Sequence, residues 1–268
     1  MELPFYKYQG AGNDFIMVNG FDVELRPVLN RQLVASLCDR RFGIGADGLI
    51  VIRPAEADFD FEMVYYNADG GQGSMCGNGG RCAFRFALDR GIIGSVSKFL
   101  AVDGPHEALL TDTGLISLKM TDVSGISNID GKNFTLDTGS PHYIKIVDDI
   151  DAVDVFKEGR RIRYSDEFRK EGINVNFVQI LSDSIRIATY ERGVEDETLA
   201  CGTGVTAAAL VMMQLGYFDK QVSVKARGGD LWVSAIKDPH SGIYESVWLT
   251  GPAELSFKGV VAVPDNTH

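Results

Sequence analysis

The chain has 268 residues, enough for one large domain or for two of about 100–150 residues each. With 45% hydrophobic and 24% charged residues it has the composition of a protein with buried cores, which excludes an intrinsically disordered chain. Its net charge of −11 is spread along the sequence without a cluster of Lys or Arg, so we expect no nucleic acid and no anionic membrane as partner.

The N-terminus, the apolar runs and the cysteines indicate the compartment. Met1–Lys7 has neither the basic nor the apolar region of a signal peptide. The longest apolar runs, such as Ala207–Met213, are far too short to span a bilayer. Four cysteines are too few for a disulfide scaffold at this length. We therefore expect a protein of the reducing cytoplasm.

Many short β-branched or aromatic segments and 30 glycines predict a mainly β structure with few helices. The predicted strands are, in chain order, Asp14–Val18, Leu49–Ile52, Phe61–Tyr66, Leu115–Met120, Ile144–Val147, Asn174–Ile180, Ile185–Tyr190, Val222–Ala226, Leu231–Ala235 and Tyr244–Thr250. Helical spacing of apolar residues predicts helices over Arg31–Arg40, Gly79–Arg90 and Val205–Leu215. The last of these is apolar on several sides, so we expect sheet to surround it.

One short pattern occurs twice: a small or apolar residue, then Cys, Gly, a polar residue and Gly. The copies are Met75–Gly79 and Ala200–Gly204, about half the chain apart. A predicted helix follows each copy, and a strand ending in a polar residue, Asn67 or Glu191, precedes it. Further upstream, the segment 12–16 of the first half echoes 175–178 of the second.

The repeat predicts two similar domains, with the boundary in the turn-rich stretch Thr121–Lys132. We place them at residues 1–126, with Cys76, and 127–268, with Cys201, and roughly the last 15 residues can pack back on the first half. A pseudo-two-fold relation would bring both helix N-termini to a common cleft, where small-molecule sites usually form.

Two cysteines at helix N-termini offer acid–base chemistry. The positive end of the helix dipole favours the thiolate. The N–H groups of Gly77, Asn78, Gly202 and Thr203 can hold a carboxylate and stabilise the charge that develops when its α-proton leaves. If one thiol removes that proton and the other returns one to the opposite face, the stereocentre is inverted. This arrangement requires no metal and no pyridoxal cofactor.

A buried cysteine is most often a small core residue, and we interpret Cys38 and Cys82 in this way. The shared context of Cys76 and Cys201 favours function instead. A zinc site is a weaker alternative, since neither the cysteines nor the four histidines have ligand spacing. The segment Gly43–Gly48 matches the dinucleotide pattern G-x-G-x-x-G, but a helix precedes it and a strand follows, so we interpret it as a turn.

Other polar residues lie near the cysteines in sequence. Arg192 can clamp a second carboxylate and Glu191 can hold an ammonium group, although a solvated Glu–Arg pair is the simpler interpretation. His142 is either a structural histidine or one that tunes a thiol. Asparagines at strand ends are usually turn residues, and three are candidates for more: Asn13, Asn67 and Asn174.

Taken together, six segments in the same order resemble the diaminopimelate epimerase family over nearly the whole chain. They are 10–15, 67–70, 75–82, 139–142, 174–177 and 190–204. The resemblance implies a mixed α/β (α+β) fold of two pseudo-symmetric domains, each a β-barrel-like sheet around a central helix, with the active site in the interdomain cleft. It also implies pyridoxal-independent conversion of LL- to meso-diaminopimelate, for lysine and peptidoglycan synthesis, by a homodimer.

By position, the resemblance implies that Cys76 and Cys201 are the acid–base pair and that His142 and Glu191 tune the thiols. Arg192 is implied to bind the distal carboxylate. The implied substrate contacts are Asn13, Asn67, Gly77, Asn78, Asn174, Glu191, Arg192, Gly202 and Thr203. Two departures concern substrate contacts: Ser140 stands where many members have Asn, and Gly48 where many have Gln.

Three other functions compete with this interpretation. A two-base epimerase of the same architecture could act on proline or hydroxyproline, but a cyclic amino acid would leave Arg192 without a second carboxylate. A relative that isomerises without cysteine bases would not need both thiols. A non-catalytic amino-acid-binding protein would not need them either.

Overall fold

The computed structural model describes residues 2–22, 29–56, 58–73 and 75–263. Within these ranges the chain forms 17 strands and four α-helices, which confirms a mainly β structure with few helices. The helices are α1 (Arg31–Cys38), α2 (Gly77–Asp89), α3 (Val155–Arg163) and α4 (Gly202–Gln214). The strands are β1 (Glu2–Gly10), β2 (Asn13–Asn19), β3 (Gly48–Arg53), β4 (Phe61–Asn67), β5 (Val96–Ala101), β6 (Gly104–Leu110), β7 (Ile116–Lys119), β8 (Ser127–Asn128), β9 (Asn133–Asp137), β10 (Pro141–Ile146), β11 (Asn174–Ile180), β12 (Ile185–Glu191), β13 (Asp196–Thr198), β14 (Gln221–Ala226), β15 (Gly229–Lys237), β16 (Tyr244–Gly251) and β17 (Glu254–Ala262).

Each predicted strand and helix overlaps an observed one, and the errors are omissions. Helix α3 was missed because five of its nine residues are charged, although Val155, Gly159 and Ile162 give it a buried face. The missed strands are β1, β5, β6, β8, β9, β13 and β17, most of which contain turn-forming or charged residues, and two of which, β8 and β13, have only two or three residues. None of the described helices is long and apolar enough to cross a bilayer.

The chain folds into two compact units, Met1–Leu118 with Pro252–His268, and Lys119–Gly251. The sequence analysis places one boundary between residues 126 and 127, whereas the units divide after Leu118 and again before Pro252. The C-terminal segment belongs with the first unit because β17 pairs antiparallel with β1, from Glu2 opposite Ala262 to Gln9 opposite Glu254.

In the first unit the strands pair in the order β17-β1-β2-β3-β4-β5-β6-β7. The pairs β2–β3 and β4–β5 are parallel, and the others are antiparallel. Helix α2 contacts β1, β2, β3, β4, β6 and β17, so the sheet surrounds it. Its aromatic residues Phe84 and Phe86 are fully buried.

The second unit has the order β8-β9-β10-β11-β12-β14-β15-β16, with β13 also paired to β12. Here β10–β11 and β12–β14 are the parallel pairs. Helix α4 contacts β9, β10, β11, β12, β14, β15 and β16. It is buried from Gly204 to Met213, as expected of a helix that is apolar on all sides.

The two units repeat one order of elements. Helices α1 and α3 follow the equivalent strands β2 and β10, and α2 and α4 follow β4 and β12. The predicted echo between residues 12–16 and 175–178 is wrong, because Asn13 begins β2 whereas Asn176 lies in β11, the equivalent of β3. Short alternating segments are alike in most strands, so their sequences alone did not identify the equivalent pair.

Candidate active site

Cys76 caps the N-terminus of α2. Its backbone is extended (φ −105°, ψ 149°), and its sulfur accepts a hydrogen bond from the N–H of Gly79, with Sγ 3.2 Å from the nitrogen. A Cβ on Gly79 would lie 3.1 Å from Sγ and 3.3 Å from Ile50 Cδ1, so glycine allows this close approach. The helix dipole and the N–H donor both favour a thiolate here.

The backbone N–H groups that are predicted to hold a carboxylate lie in the first turns of the two helices. Gly77 and Asn78 begin α2, and Gly202 and Thr203 begin α4. The N–H groups of a first helical turn have no acceptor within the helix, and they point in the direction favoured by anions. Each capping cysteine therefore lies next to two such N–H groups.

A chain of side-chain hydrogen bonds fixes the orientation of two predicted asparagines. Arg81 Nη2 donates to Asn78 Oδ1 at 2.7 Å, and Asn78 Nδ2 donates to Asn13 Oδ1 at 2.6 Å. Asn13 Nδ2 then donates to Asp47 Oδ2 at 2.9 Å. Since the chain starts at a pure donor and ends at a carboxylate, each amide can take only one orientation. Neither Arg81 nor Asp47 was among the predicted site residues.

Asn67 lies exposed at the end of β4, opposite Gly48 in β3. A Cβ on Gly48 would lie 2.5 Å from Tyr65 Cε2 and 2.5 Å from the carbonyl oxygen of Tyr66. The ring of Tyr65 therefore fills the space that a longer side chain at position 48 would need. Of this facing pair, Asn67 alone presents a polar side chain.

Cys201 caps α4 in an equivalent way but with different polar support. Its backbone is extended (φ −110°, ψ 110°), and within the described residues no N–H of the helix donates to its sulfur as a cap. The hydroxyl of Thr203 lies 3.5 Å from Sγ instead. The residue is 8% exposed. The hydroxyl of Thr203 thus lies beside this thiol, whereas the cap at Cys76 is formed with a backbone N–H.

His142 is fully buried at the start of β10, and Asn176 fixes its tautomer. Asn176 Oδ1 accepts the hydroxyl of Thr189 at 2.9 Å, and Nδ2 donates to the carbonyl oxygen of Tyr143 at 3.1 Å. The amide nitrogen therefore faces His142 Nδ1, at 3.1 Å. Nδ1 must accept, so the network assigns the ring proton to Nε2.

His142 reaches the thiol of Cys201 through Thr203. Nε2–H donates to Thr203 Oγ1 at 2.9 Å, which leaves the hydroxyl hydrogen to donate to Sγ. Burial, assisted by the positive charge of Arg192, lowers the pKa of His142 to about 3. The imidazole is therefore neutral at physiological pH, and its connection to Cys201 consists of hydrogen bonds without a charge.

Arg192, Asn174 and Ser140 form one cluster at the ends of their strands. Ser140 Oγ accepts from Asn174 Nδ2 at 2.9 Å and from Arg192 Nη2 at 3.3 Å, and the N–H of Arg192 donates to Asn174 Oδ1 at 2.9 Å. Arg192 is exposed and forms no ion pair with a carboxylate among the described residues. Its guanidinium is held in place and can receive a carboxylate from a ligand.

Glu191 is half-buried at the end of β12 and accepts a hydrogen bond from the hydroxyl of Thr198 at 2.8 Å. This hydrogen bond fixes the position of one carboxylate oxygen of Glu191 relative to Thr198 on the neighbouring strand. The role of Glu191 in tuning a thiol stays a prediction.

Four residues that the sequence analysis did not assign to the site support the ones it did: Arg81, Asp47, Ser140 and Asn176. For Asn176 a signal was available, because Asn174 and Asn176 alternate along a strand and so share one face. For Arg81 the spacing was also a signal, because it lies three residues after Asn78 on the same helix. Asp47 and Ser140 come from separate segments and meet their partners only through folding. The described residues contain no group of three or more His, Cys, Asp or Glu side chains that could hold a metal ion.

A family model described as diaminopimelate epimerase matches residues 5–123 and 134–255. A curated diaminopimelate epimerase of Flavobacterium psychrophilum is 45% identical over 97% of this chain and 100% of its own length. One from Aquifex aeolicus is 39% identical over 96% of this chain and 97% of its own length.

Solved structures with low sequence identity share the fold. A phenazine biosynthesis protein of the PhzF family from Bacillus anthracis aligns over 98% of this chain and 100% of its own, with a TM-score of 0.70 and 14% identity. A hydroxyproline epimerase from Agrobacterium vitis aligns over 99% of this chain and 94% of its own, with a TM-score of 0.66 and 14% identity. At this identity the likeness concerns the architecture alone.

Proposed function

Because this chain belongs to the diaminopimelate epimerase family, we propose that it is an isomerase that interconverts LL- and meso-diaminopimelate without pyridoxal phosphate. The observation that carries the proposal is the pair of equivalent cysteines, Cys76 and Cys201, each capping the central helix of its unit. The reaction supplies meso-diaminopimelate for lysine and peptidoglycan synthesis.

The two thiols exchange acid and base roles. In one direction a thiolate takes the α-hydrogen as a proton, and its electron pair stays on carbon and spreads into the carboxylate. The first-turn N–H groups, of Gly77 and Asn78 and of Gly202 and Thr203, stabilise that negative charge. The other thiol then gives its proton to the opposite face, so the products are the inverted centre and a new thiolate. No electron is gained or lost, and no cofactor is needed.

The remaining site residues serve recognition. We assign Arg192 to the distal carboxylate, because its guanidinium is anchored by Ser140 and by the carbonyl oxygen of Glu171 and has no carboxylate partner among the described residues. Asn174 is held beside it. The other assigned contacts are Asn13, Asn67 and Glu191, with His142 and Glu191 tuning the thiols.

The test is inversion and deuterium incorporation in deuterated water, with LL-diaminopimelate, L-proline and trans-4-hydroxy-L-proline as separate substrates. We expect LL-diaminopimelate to give meso product carrying deuterium at the inverted carbon. Deuterium in proline or hydroxyproline alone would assign the chain to the racemase alternative, and no exchange in any of them would contradict an epimerase.

The same assay tests the thiols. Cys76→Ala and Cys201→Ala should each lower the rate of inversion by about 10²–10⁴, the usual contribution of a general acid or base. Cys38→Ala is the matched control, because Cys38 is a buried thiol on α1, and its variant should keep near-parent turnover. Near-parent turnover in either of the first two variants would contradict the two-base mechanism.

We further propose that the protein works in the cytoplasm as a homodimer, with the small amino acid rather than nucleic acid as its partner. Sedimentation equilibrium should then give a mass of about twice the 29.3 kDa of one chain. A mass of one chain at micromolar concentration would contradict the dimer.

A further inference from the structure

Arg81 is a fully buried cation on α2. Nη2 donates to Asn78 Oδ1 at 2.7 Å, Nε lies 3.5 Å from the carbonyl oxygen of Pro252, and Nη1 has no hydrogen-bond partner among the described residues. Within the same ranges no carboxylate forms an ion pair with it. A buried charge without a counter-ion is costly, so its presence on the helix that Cys76 caps requires a physical explanation.

The two thiols near Arg81 differ in their ability to carry negative charge. Complete burial raises the pKa of Cys82 far above its ordinary value, so that thiol stays protonated. Burial lowers the pKa of Arg81 to about 10, and the thiolate forms of Cys82 and Cys76 would oppose the decrease. At neutral pH the guanidinium is therefore charged and Cys82 is neutral. Cys76, half-buried and bound by the N–H of Gly79, is left as the anionic neighbour.

We propose that Arg81 is the counter-charge of the Cys76 thiolate and the anchor that orients the Asn78–Asn13 amide chain, which makes it a positioning residue of the first unit. The inference rests on the proposed function only in that it gives Cys76 the role of a base. The charge needs no contact with substrate, and a water-excluded site makes it effective.

Most other charged groups on the elements around α2 have partners of their own, and the two exceptions among the described residues, Glu2 and Lys258, are exposed to solvent. Asp103 also accepts the N–H of Met75, so it lies beside the cysteine, and its charge opposes a thiolate. This is a second reason for a cation nearby. The partnered groups are Asp103 with His106, Tyr8 and Arg85 with Asp89, Lys7 and Arg40 with Asp14, Arg40 with Asp47, Arg53 with Glu62, Lys98 with Glu107, and Glu254 with Gln9.

Among the described residues of the second unit, no buried cation lies on the helix that its cysteine caps. Thr206 stands on α4 where Arg81 stands on α2, and its hydroxyl donates to the carbonyl oxygen of Gly202 at 3.0 Å. None of the buried residues described in that unit is a Lys or Arg, and His142 is neutral. Cys201 therefore serves as an internal reference, because no described residue of its own helix is a buried cation and a change at Arg81 should act on it less than on Cys76.

The experiment follows alkylation of the full-length protein by iodoacetamide between pH 5 and pH 10, with peptide mass spectrometry to quantify Cys76 and Cys201 separately. In the parent we expect the midpoint for Cys76 to lie below about 8.5, the value of an unperturbed thiol. Arg81→Met and Arg81→Gln should raise it by at least about one pH unit, a tenfold loss of thiolate at lower pH. Arg81→Lys keeps the charge and should stay near the parent.

Two features separate charge from structure. Gln can still donate to Asn78, so a merely structural role predicts that Arg81→Gln behaves like the parent. Arg85→Met is the matched control, because Arg85 lies one turn later on α2, is about one-third exposed and pairs with Asp89. It should leave both midpoints unchanged, and the neutral Arg81 variants should move the Cys76 midpoint more than the Cys201 midpoint.

A parent midpoint for Cys76 at or above 8.5, or an unchanged midpoint in a folded neutral variant, overturns the proposal. If neither neutral variant folds, the parent decides: a low midpoint that 1 M salt leaves unmoved supports a buried counter-charge, whereas one that salt moves toward 8.5 overturns it. Alkylation needs no diaminopimelate, so failure of the substrate assignment and failure of this proposal give separate results.

Discussion

Cys76 and Cys201 have equivalent backbones and different neighbours. Each is an extended N-cap, but the polar residue two positions later is Asn78 in one unit and Thr203 in the other. Asn78 is tied to a buried cation, and Thr203 to a neutral imidazole. In the proposed mechanism, one thiol is therefore supported by a buried charge and the other by a chain of neutral hydrogen bonds.

In the proposed function, recognition of the second carboxylate depends mainly on Arg192. Arg192→Lys keeps the positive charge but loses the planar fork that binds a carboxylate through two parallel hydrogen bonds. We expect KM for LL-diaminopimelate to rise roughly tenfold or more, about 1.5–3 kcal/mol, with a smaller change in kcat. Steady-state kinetics of the variant measures both constants.

The control for this prediction is Arg186→Lys. Arg186 lies on β12, the strand that Arg192 directly follows, and pairs with Asp151 on the surface. Its variant should leave KM within twofold of the parent, since exposed ion pairs contribute little. A parent-like KM in Arg192→Lys would remove Arg192 from the distal site.

At the scale of elements, α4 packs closely against two strands. A Cβ on Gly204 would collide with Asn176 Oδ1 and lie 3.3 Å from His142 Cε1, so glycine here brings the first turn onto β10 and β11. The same contact buries His142 completely. The close packing at Gly204 therefore both places the helix and buries the imidazole, and this burial keeps the imidazole neutral.

That burial predicts a pH dependence of stability. The folded pKa of His142, about 3, lies below the unfolded value of 6.5, so between these values the unfolded chain binds a proton that the folded chain does not. The stability that the neutral His142 contributes is therefore fully present above pH 6.5, and it is lost as the pH decreases toward 3. In His142→Gln the slope of the unfolding free energy in this window should be smaller by up to about 1.4 kcal/mol per pH unit.

Urea titrations at half-unit pH steps measure the slope. His240→Gln is the control, because His240 is exposed on a turn, and its variant should keep the parent slope. Equal slopes in the parent and in His142→Gln would mean that His142 is not held neutral by burial.

At the scale of the molecule, the two ends of the described chain complete the first unit. β17 covers β1, and Gly259 stands opposite Phe5, which is buried in that unit. A Cβ on Gly259 would lie 2.9 Å from Phe5 Cζ. The first unit therefore depends on the strand that comes last in the sequence.

Gly259→Val should displace Phe5 and lower the free energy of unfolding by about 1–3 kcal/mol, the usual cost of overpacking. The shift of the urea midpoint, followed by fluorescence, measures it. Val260→Thr is the control, since Val260 is 59% exposed and its change should stay within about 0.5 kcal/mol. A parent-like midpoint in Gly259→Val would show that the two strands separate at little cost.

The elements with strong local patterns were predictable, and those without were not. Val205–Leu215 is apolar on several sides and proved to be the central helix α4. Helix α3 and strand β17 were not predicted, because their stability comes from neighbouring elements. Gly159 of α3 packs on Tyr190, and β17 pairs with the opposite end of the chain. Local sequence carries no information about such partners.

By itself the sequence determined the repeated cysteine motif, the helix that follows each copy and the family. These follow from local chemistry, because spacing, glycine and cap preferences act within a few residues. Only the tertiary structure decided what stands behind each thiol. Asn176 and Ser140 acquire their roles from partners in other elements, and Arg81 acquires its role from complete burial, since a hydrogen bond or a buried charge depends on distance in space rather than along the chain.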